Sequence, residues 1–283
     1  MVDSEWQWDP SLYAGSAQHY VRGRVAYPPE LADALVAALE LDGSGRLLDV
    51  GCGPGSLTLQ LAASFERATG LDADAEMLAE AARQARAAGI TNVDWLHLRA
   101  EDISPALGRF RVVTLAQSFH WMDRPRVAPL VREVLDPNGA LVHVHATTHD
   151  GTETDLLLPH PQPPRREINA LVERFLGSRR RAGQGVRPAA ASGVAETGRE
   201  EAEIYGAAGF RDPSRIEIPE RTVTRSADDV VAGVFSLSSA APHLFGARAA
   251  EFEAALRELL TRTSVDGRFS ARMREIAIDI WRV

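Results

Sequence analysis

The sequence predicts an open α/β sheet, mostly parallel, with helices wound on both faces. Three observations carry that expectation. Short apolar runs such as "RLLDV" (46–50) have the composition of strands buried on both faces of a parallel sheet. These runs alternate with segments of helical periodicity, the order that builds βαβ units. A glycine-rich turn, "GCGPG" (51–55), follows the first such strand, and Asp72 ends the second, 72 − 51 = 21 residues later.

Each element has its own signal. Pro28 and Pro29 open a helix that places Leu31, Leu35, Val36 and Leu39 on one face. After strand one, Ser56 to Phe65 reads as a helix and "RATGLD" (67–72) as strand two. Asp74 caps a helix through about Ala88, with Met77, Leu78, Ala81, Ala82 and Ala85 on its apolar face. "VDWLHLRA" (93–100), "RVVTLA" (111–116) and "ALVHVHAT" (140–147) are strands three to five. Between the last two, Asp123 opens a helix ending near Leu135, in which Pro129 is tolerable only near the first turn. The rhythm breaks after His149. A Pro-rich loop leads to a helix with a basic end at Arg179–Arg181, and "QGVRPAAASGVAETG" (184–198) is a low-complexity connector expected to be mobile. The helix "REEAEIYGAAGF" (199–210) and the extended "SRIEIPERTVTR" (214–225) resume the pattern. Helices at Ala227–Leu237 and Ala247–Thr263 and an alternating strand at 273–283 close it. The expected division is a capping segment at 1–28, a core at 29–149, an insertion at 150–198 over the ligand-binding edge, and completion of the core at 199–283.

Composition removes several classes of function. The 283 residues, 45% hydrophobic and 25% charged, suit a soluble globular chain, and a net charge of −8 argues against salt-driven capture of nucleic acid. A lone cysteine, Cys52, excludes an internal disulfide. The start "MVDSEWQWDP" has no apolar run of the secretory kind, and no stretch is long and apolar enough to span a bilayer. A cytoplasmic protein without nucleic-acid or membrane partners is expected, monomer or homodimer being left open. All 31 basic residues are arginine, which points to a GC-rich genome.

The glycine turn narrows the ligand. Gly51 and Gly53 let backbone approach it with no Cβ between, and Asp72 can accept both hydroxyls of a ribose. A dinucleotide fingerprint requires a third glycine where Ser56 stands, and Pro54 stiffens the turn. A Walker loop requires a lysine, and the chain has none. Asp49, just before the turn, repels a pyrophosphate and attracts a cation. A ribosyl ligand with positive charge and no phosphate fits best, and S-adenosylmethionine has these features.

The ordered set "LLDVGCGPG", "GLDADAEML", "LRAEDI", "AQSFHWMD" and "VLDPNGALV" resembles the class I S-adenosylmethionine-dependent methyltransferases, closest to their small-molecule type 11 group. The resemblance covers about residues 10–148 and, more loosely, the "AAGF" segment to the C-terminal strand. "DPNG" departs from the family's Pro-Gly-Gly, but asparagine tolerates the left-handed turn. The resemblance implies a Rossmann-like, seven-stranded, mostly parallel sheet with the last strand antiparallel and a helical insertion after strand five. It implies that Asp49, Gly51 and Gly53 surround the methionine part of the cofactor and that Asp72 holds the ribose. Ala73 and Met77 lie against the adenine, Ala100 and Glu101 at its edge, and Gln117 near the methionine amine. "YVRGRVAYP" is similar to the family's capping helix, so Tyr20 and Arg24 close the site, Arg24 pairing with the cofactor carboxylate. Bland readings stand beside these: Met77 as core packing, Glu101 as a turn cap, and the arginine run as a solvated helix end.

Methyl transfer from a sulfonium is an in-line displacement in which the protein mainly aligns the nucleophile; only a protonated acceptor needs a base. His120 stands where that base is wanted, or it merely walls the pocket with Trp121. His143 and His145 share one face of strand five, but no third ligand appears at metal spacing, so no metal is expected. The leading expectation is O-methylation of a small molecule in natural-product (antibiotic) metabolism, leaving S-adenosylhomocysteine. The alternatives are a non-methylating reaction on the same fold, such as a cyclisation, and a non-catalytic cofactor-binding protein.

Overall fold

A computed structural model describes residues 11, 13–182, 185–188, 197–211 and 213–283. The elements follow in chain order: α1 (Ala17–Gly23), α2 (Pro29–Ala38), β1 (Arg46–Val50), α3 (Thr58–Leu61), β2 (Arg67–Asp72), α4 (Ala75–Ala87), β3 (Val93–His97), β4 (Phe110–Ala116), α5 (Arg124–Val134) and β5 (Leu135–His145). Then come α6 (Arg165–Leu176), β6 (Arg179–Ala182), β7 (Gly185–Pro188), α7 (Thr197–Ala207), β8 (Ser214–Ile218), β9 (Arg221–Ser226), α8 (Ala227–Phe235), α9 (Pro242–Phe245), α10 (Ala249–Thr263), β10 (Arg268–Met273) and β11 (Ile276–Arg282).

Seven strands form one sheet in the order β3-β2-β1-β4-β5-β11-β8. β1 to β5 pair in parallel, while β11 runs antiparallel to both β5 and β8, the arrangement expected from the sequence. Alternation along the strands divides the core between the faces. Leu47, Val112, Val142 and Ile278 pack with Leu31 and Leu35 of α2 on one face. Leu48, Val113, Leu141 and Trp281 pack with Val127 and Val131 of α5 and Tyr205 of α7 on the other. All carboxyl ends of the parallel strands therefore point to one edge.

Local signals were read unevenly. Asp74 caps α4 as expected, its carboxylate accepting from the backbone N–H groups of Glu76 (2.8 Å) and Met77 (3.2 Å). The helix expected over 56–65 is shorter, α3 passing into a 3₁₀ turn at Ala62–Ser64, because three left-handed glycines occupy the approach. Pro129 sits in the interior of α5, where buried Val127, Ala128, Val131 and Val134 hold the helix despite the lost N–H. The extended run 214–225 is two strands, broken at Pro219: β8 joins the main sheet and β9 pairs antiparallel with β10.

That ribbon corrects the expected boundaries. Phe269 of β10 packs with Phe235 of α8, Phe252 and Leu256 of α10, and Ile168 and Val172 of α6 in a third apolar cluster. The loop before α6 is strapped to the same strand, with Thr152 N–H on Arg272 O at 2.7 Å and Ser270 N–H on Pro161 O at 3.0 Å. The cap over the sheet edge is thus assembled from two stretches, about 150–178 and 219–273, and not from 150–198 alone. The connector expected at 184–198 lies largely outside the described residues, as do the side chains of Arg179–Arg181 and most of the expected segment 1–28 before Tyr13.

α1 is fastened to this cap. Gly23 lies so close to α8 that a Cβ there would meet the Ala232 carbonyl at 2.4 Å. Arg22 pairs with Asp228 and Asp229 at 2.9 Å each, and Ser16 Oγ donates to Phe235 O at 3.0 Å. Among the described residues no helix is long and apolar enough to cross a membrane.

Candidate active site

Beyond the carboxyl ends of β1, β2 and β4, and under α1, lies a cavity of about 280 Å³. The glycine turn forms its floor. Gly51, Gly53 and Gly55 all have positive φ (69°, 54° and 79°), so the sharp strand-to-helix turn depends on their missing side chains. What each absent Cβ would meet differs. At Gly51 it would lie 2.5 Å from Ser118 Cβ, so this glycine admits the loop after β4. At Gly55 it would lie 2.7 Å from the Trp95 ring. At Gly53 it would meet nothing within 4 Å, so only this glycine leaves its space open, in a turn that lines the cavity.

Asp72 ends β2 at the cavity wall. Its Oδ2 accepts from Gly53 N–H (2.8 Å) and its Oδ1 from Asp74 N–H (2.9 Å). Each oxygen keeps lone-pair capacity for a further donor. Burial raises its pKa to about 6, against the lowering influence of those two backbone bonds. Asp49 is buried within β1, with Thr114 Oγ1 donating to Oδ1 (2.7 Å) and Thr58 Oγ1 to Oδ2 (2.6 Å). Burial raises its pKa, and the two threonine hydroxyls pull against that rise. The carboxylate thus clamps β4 and α3 to β1 while projecting negative charge at the turn.

Gln117, just after β4, is one of two non-glycine residues with positive φ among those described (57°), a strained conformation for a side-chain-bearing residue. Its Nε2 is buried, borders the cavity and has no hydrogen-bond partner. A strained residue with an orphaned donor beside an open glycine and a half-satisfied carboxylate is a site built for a polar ligand. Ala73, Met77 and Ala100 add apolar wall, and Tyr20, Tyr13 and Trp121 stand on the α1 side, the Tyr13 ring edge-on to Trp121 at 5.6 Å.

Comparison with known proteins agrees with this geometry. Residues 47–139 match the methyltransferase-domain family. Over those residues the chain carries a methyltransferase domain. An uncharacterized methyltransferase of Mycobacterium tuberculosis (strain H37Rv) is 37% identical over 134 residues, 47% of this chain and 51% of its own length. The trans-aconitate 2-methyltransferase of Deinococcus radiodurans is 30% identical over 153 residues, 53% of this chain and 54% of its own. The malonyl-[acyl-carrier protein] O-methyltransferase of Enterobacter lignolyticus is 37% identical over 112 residues, 39% and 42% of the two chains. The chain spans about half the length of the curated relatives it matches. Among solved structures, a putative type II methyltransferase of Anaeromyxobacter dehalogenans superposes with a TM-score of 0.50 at 20% identity, covering 92% of this chain and 96% of that one. This last likeness shows the fold alone.

Within the methyltransferase domain, Asp49, Gly51, Gly53, Asp72, Ala73, Met77, Ala100, Glu101 and Gln117 all border one cavity, joined by Tyr20 and Arg24 of the cap. Several do so differently from expectation. Glu101 is buried, its Oε1 accepting from Asp123 N–H (2.9 Å) and its Oε2 lying 3.3 Å from Arg99, so it fastens the start of α5. Met77 is 3% exposed and belongs to the packed face of α4 as well as the wall. Arg24 braces the cap: Nε and Nη2 donate to Ser236 Oγ and Ser236 O at 2.9 Å each, Nη1 lies 3.2 Å from His149, and the guanidinium stacks on Tyr20. Its bidentate edge is therefore turned toward α8.

His120 does not border the cavity. It lies in a 3₁₀ turn with its side chain at the surface, its ring 4.8 Å from Trp121, which takes the wall position instead. Crowding and the charges of Arg124 and Arg24 lower its pKa to about 4, leaving it neutral at pH 7 but a feeble proton acceptor. The loop after β4 turns Gln117, Ser118, Trp121 and Met122 to the cavity and leaves out Phe119 and His120; sequence could place the loop but not its phase. Thr148 and Ser118 are wall residues that spacing alone did not single out, while Trp121 lines the cavity as the wall reading had it. The expectation that His143 and His145 lack a third ligand is also corrected, since Glu201 of α7 approaches both.

Proposed function

We propose that the protein transfers a methyl group from S-adenosylmethionine to an oxygen of a small molecule that is already ionised, a carboxylate. The cofactor fits the residues present: Asp72 would accept from the ribose hydroxyls, Gly53 would leave room beside them, and the Gln117 amide would donate to the methionine end. When bound, it supplies an electrophilic methyl on a sulfonium. The chain's own work is to align the acceptor and exclude water, which alone carries much of such a reaction.

One observation carries the choice of acceptor. Among the described residues bordering the cavity there is no histidine, and burial pushes the Tyr13 and Tyr27 phenols well above their ordinary range, so they donate protons and do not accept them. The carboxylates that border the cavity are held by protein donors: Asp72 by Gly53 and Asp74 N–H, Asp49 by Thr58 and Thr114, Asp74 by the start of α4 and Glu101 by Asp123 N–H. A hydroxyl or protonated amine would therefore meet no uncommitted base, whereas a carboxylate needs none. Two of the relatives are named for acting on trans-aconitate and malonyl groups, both carboxylic acids. A cytoplasmic setting in secondary metabolism belongs to the same proposal and rests on composition.

The experiment is incubation with S-adenosylmethionine and matched panels of carboxylic acids, phenols and amines, read by mass and by S-adenosylhomocysteine release. The expected product gains one methyl and returns methanol on mild alkaline hydrolysis, as an ester does. Methylation of phenols or amines with no carboxylate product refutes the acceptor class.

A further inference from the structure

On the face of the sheet covered by α5 and α7, away from the cavity, three potential metal donors meet. His143 and His145 of β5 project to this face because residues two apart on a strand share it. α7 packs over them and supplies Glu201, 201 − 145 = 56 residues later in the chain. Glu201 Oε2 lies 3.8 Å from His143 Nδ1 and 3.8 Å from His145 Nδ1, and all three donor atoms fall within 4.8 Å of one another.

Of these atoms, Glu201 Oε2 has no hydrogen-bond partner, while His143 Nδ1 is engaged by the Tyr205 hydroxyl at 3.1 Å. Glu201 is 9% exposed at its side chain, and its Oε2 is buried. His145 Nε2 lies 3.0 Å from Asp279 Oδ2 on the adjacent β11, and Asp279 is in turn gripped by Arg215 at 2.7 Å through both oxygens. With a proton on Nε2 donated to Asp279, the neutral ring presents Nδ1 as a lone pair toward Glu201. A nitrogen lone pair facing a carboxylate oxygen at 3.8 Å is too distant for a hydrogen bond and is an arrangement that a cation between them would bridge. Donors around a tetrahedral zinc, with bonds of about 2.0–2.2 Å, stand roughly 3.4 Å apart. The two Glu201–histidine separations of 3.8 Å need to close by only a few tenths of an ångström, and the third pair, within 4.8 Å, by up to about 1.4 Å. The Tyr205 hydroxyl at 3.1 Å competes for His143 Nδ1 and would turn aside when that nitrogen binds a cation. Arg124, which also bears on these groups, pairs with Glu200 at 2.8 Å.

We infer that His143, His145 and Glu201 form a site for a divalent transition cation, of which Zn²⁺ is the natural occupant for two imidazoles and a carboxylate. Asp279 is its supporting carboxylate, fixing the tautomer and orientation of His145, as carboxylates behind metal-bound histidines do. The cation pins α7 to the centre of the sheet.

The test uses the full chain stripped with a chelator and titrated with Zn²⁺ against a chromophoric competitor. About one Zn²⁺ per chain is expected, raising the melting temperature. Glu201→Gln, almost isosteric, and His145→Ala should each weaken binding more than about 100-fold and abolish the melting shift, while Asp279→Asn should weaken it by about 10–100-fold. Retained S-adenosylhomocysteine binding by the variants shows that they are folded. Should Glu201→Gln fail to fold, His145→Ala at the partly exposed strand end carries the same comparison. No Zn²⁺ binding by the wild type, or binding undiminished in a folded variant, overturns the assignment.

Discussion

Replacing Asp72 by alanine removes a carboxylate with two duties, and the structure separates their sizes. Its oxygens accept from Gly53 N–H at 2.8 Å and Asp74 N–H at 2.9 Å. Losing them leaves two donors unpaired, at about 1–3 kcal/mol each. Against that, burial lifts the Asp72 pKa from 3.8 to about 6, so its charge at pH 7 is held at a cost of about 3 kcal/mol, which alanine relieves. These opposing effects nearly cancel, and the melting temperature of the unliganded protein should change little. Cofactor binding should change greatly, because two ribose hydroxyls lose a charged acceptor worth about 1.5–3 kcal/mol per bond. The expected rise in Kd for S-adenosylmethionine is about 10²–10⁴-fold, measured by calorimetry beside thermal melts of the same samples. A Kd within threefold of wild type would refute the ribose assignment. A collapsed melting temperature would instead show that Asp72 serves the turn more than the ligand.

The same carboxylate predicts pH dependence. Because its folded pKa is raised, the stability it lends the unliganded chain is present below pH 4 and is lost as pH rises through about 6. Cofactor binding needs the ionised form, so Kd should climb as pH falls below about 6, and a flat profile from pH 5 to 8 would contradict it. His120→Ala should alter kcat/KM by less than about threefold, since the ring lies outside the cavity; a loss of 10²-fold or more would reinstate it as a base. Gly51→Ala, whose Cβ would sit 2.5 Å from Ser118, should lower stability by about 1–3 kcal/mol in denaturant melts. Gly53→Ala meets no protein atom, so beyond a left-handed strain of about 1–2 kcal/mol its main effect should be weaker cofactor binding.

Legibility followed the range of the interaction. The parallel strands were readable because each is a compact apolar run with its own turn signals, and Asp74 announced α4 through a purely local cap. The cofactor residues were readable for the same reason: turn and carboxylate sit at fixed offsets in one βα unit. What failed depended on distant packing. β10 carries Arg268, Ser270 and Arg272 among its apolar residues and looks like no strand until α8, α10 and α6 close over Phe269. The cap therefore seemed to be one insertion when it is two stretches that meet only in three dimensions. His120 and Trp121 are adjacent in sequence, and only the phase of a short 3₁₀ turn decides which faces the cavity. Glu201 could not be tied to His143 and His145 by spacing, because α7 is positioned over β5 by α5 and the tertiary core.

Asp49 shows how the site can favour substrate over product. It is 1% exposed and hydrogen-bonded by two neutral hydroxyls, and no ion pair to it occurs among the described residues. Its charge is therefore uncompensated within the protein, and a cation arriving at the turn offsets it. The reacting cofactor carries a sulfonium that becomes a neutral thioether once the methyl has gone. The attraction should thus fall during turnover, worth about 1–2 kcal/mol in a partly screened site. Asn can keep a hydrogen bond with each threonine, so Asp49→Asn should preserve the clamp between β1, β4 and α3. It should weaken binding of S-adenosylmethionine about tenfold more than that of S-adenosylhomocysteine, both measured by calorimetry at low ionic strength. Equal losses for the two ligands would mean that Asp49 acts by holding Thr58 and Thr114 in place, and that its charge contributes nothing to discriminating between them.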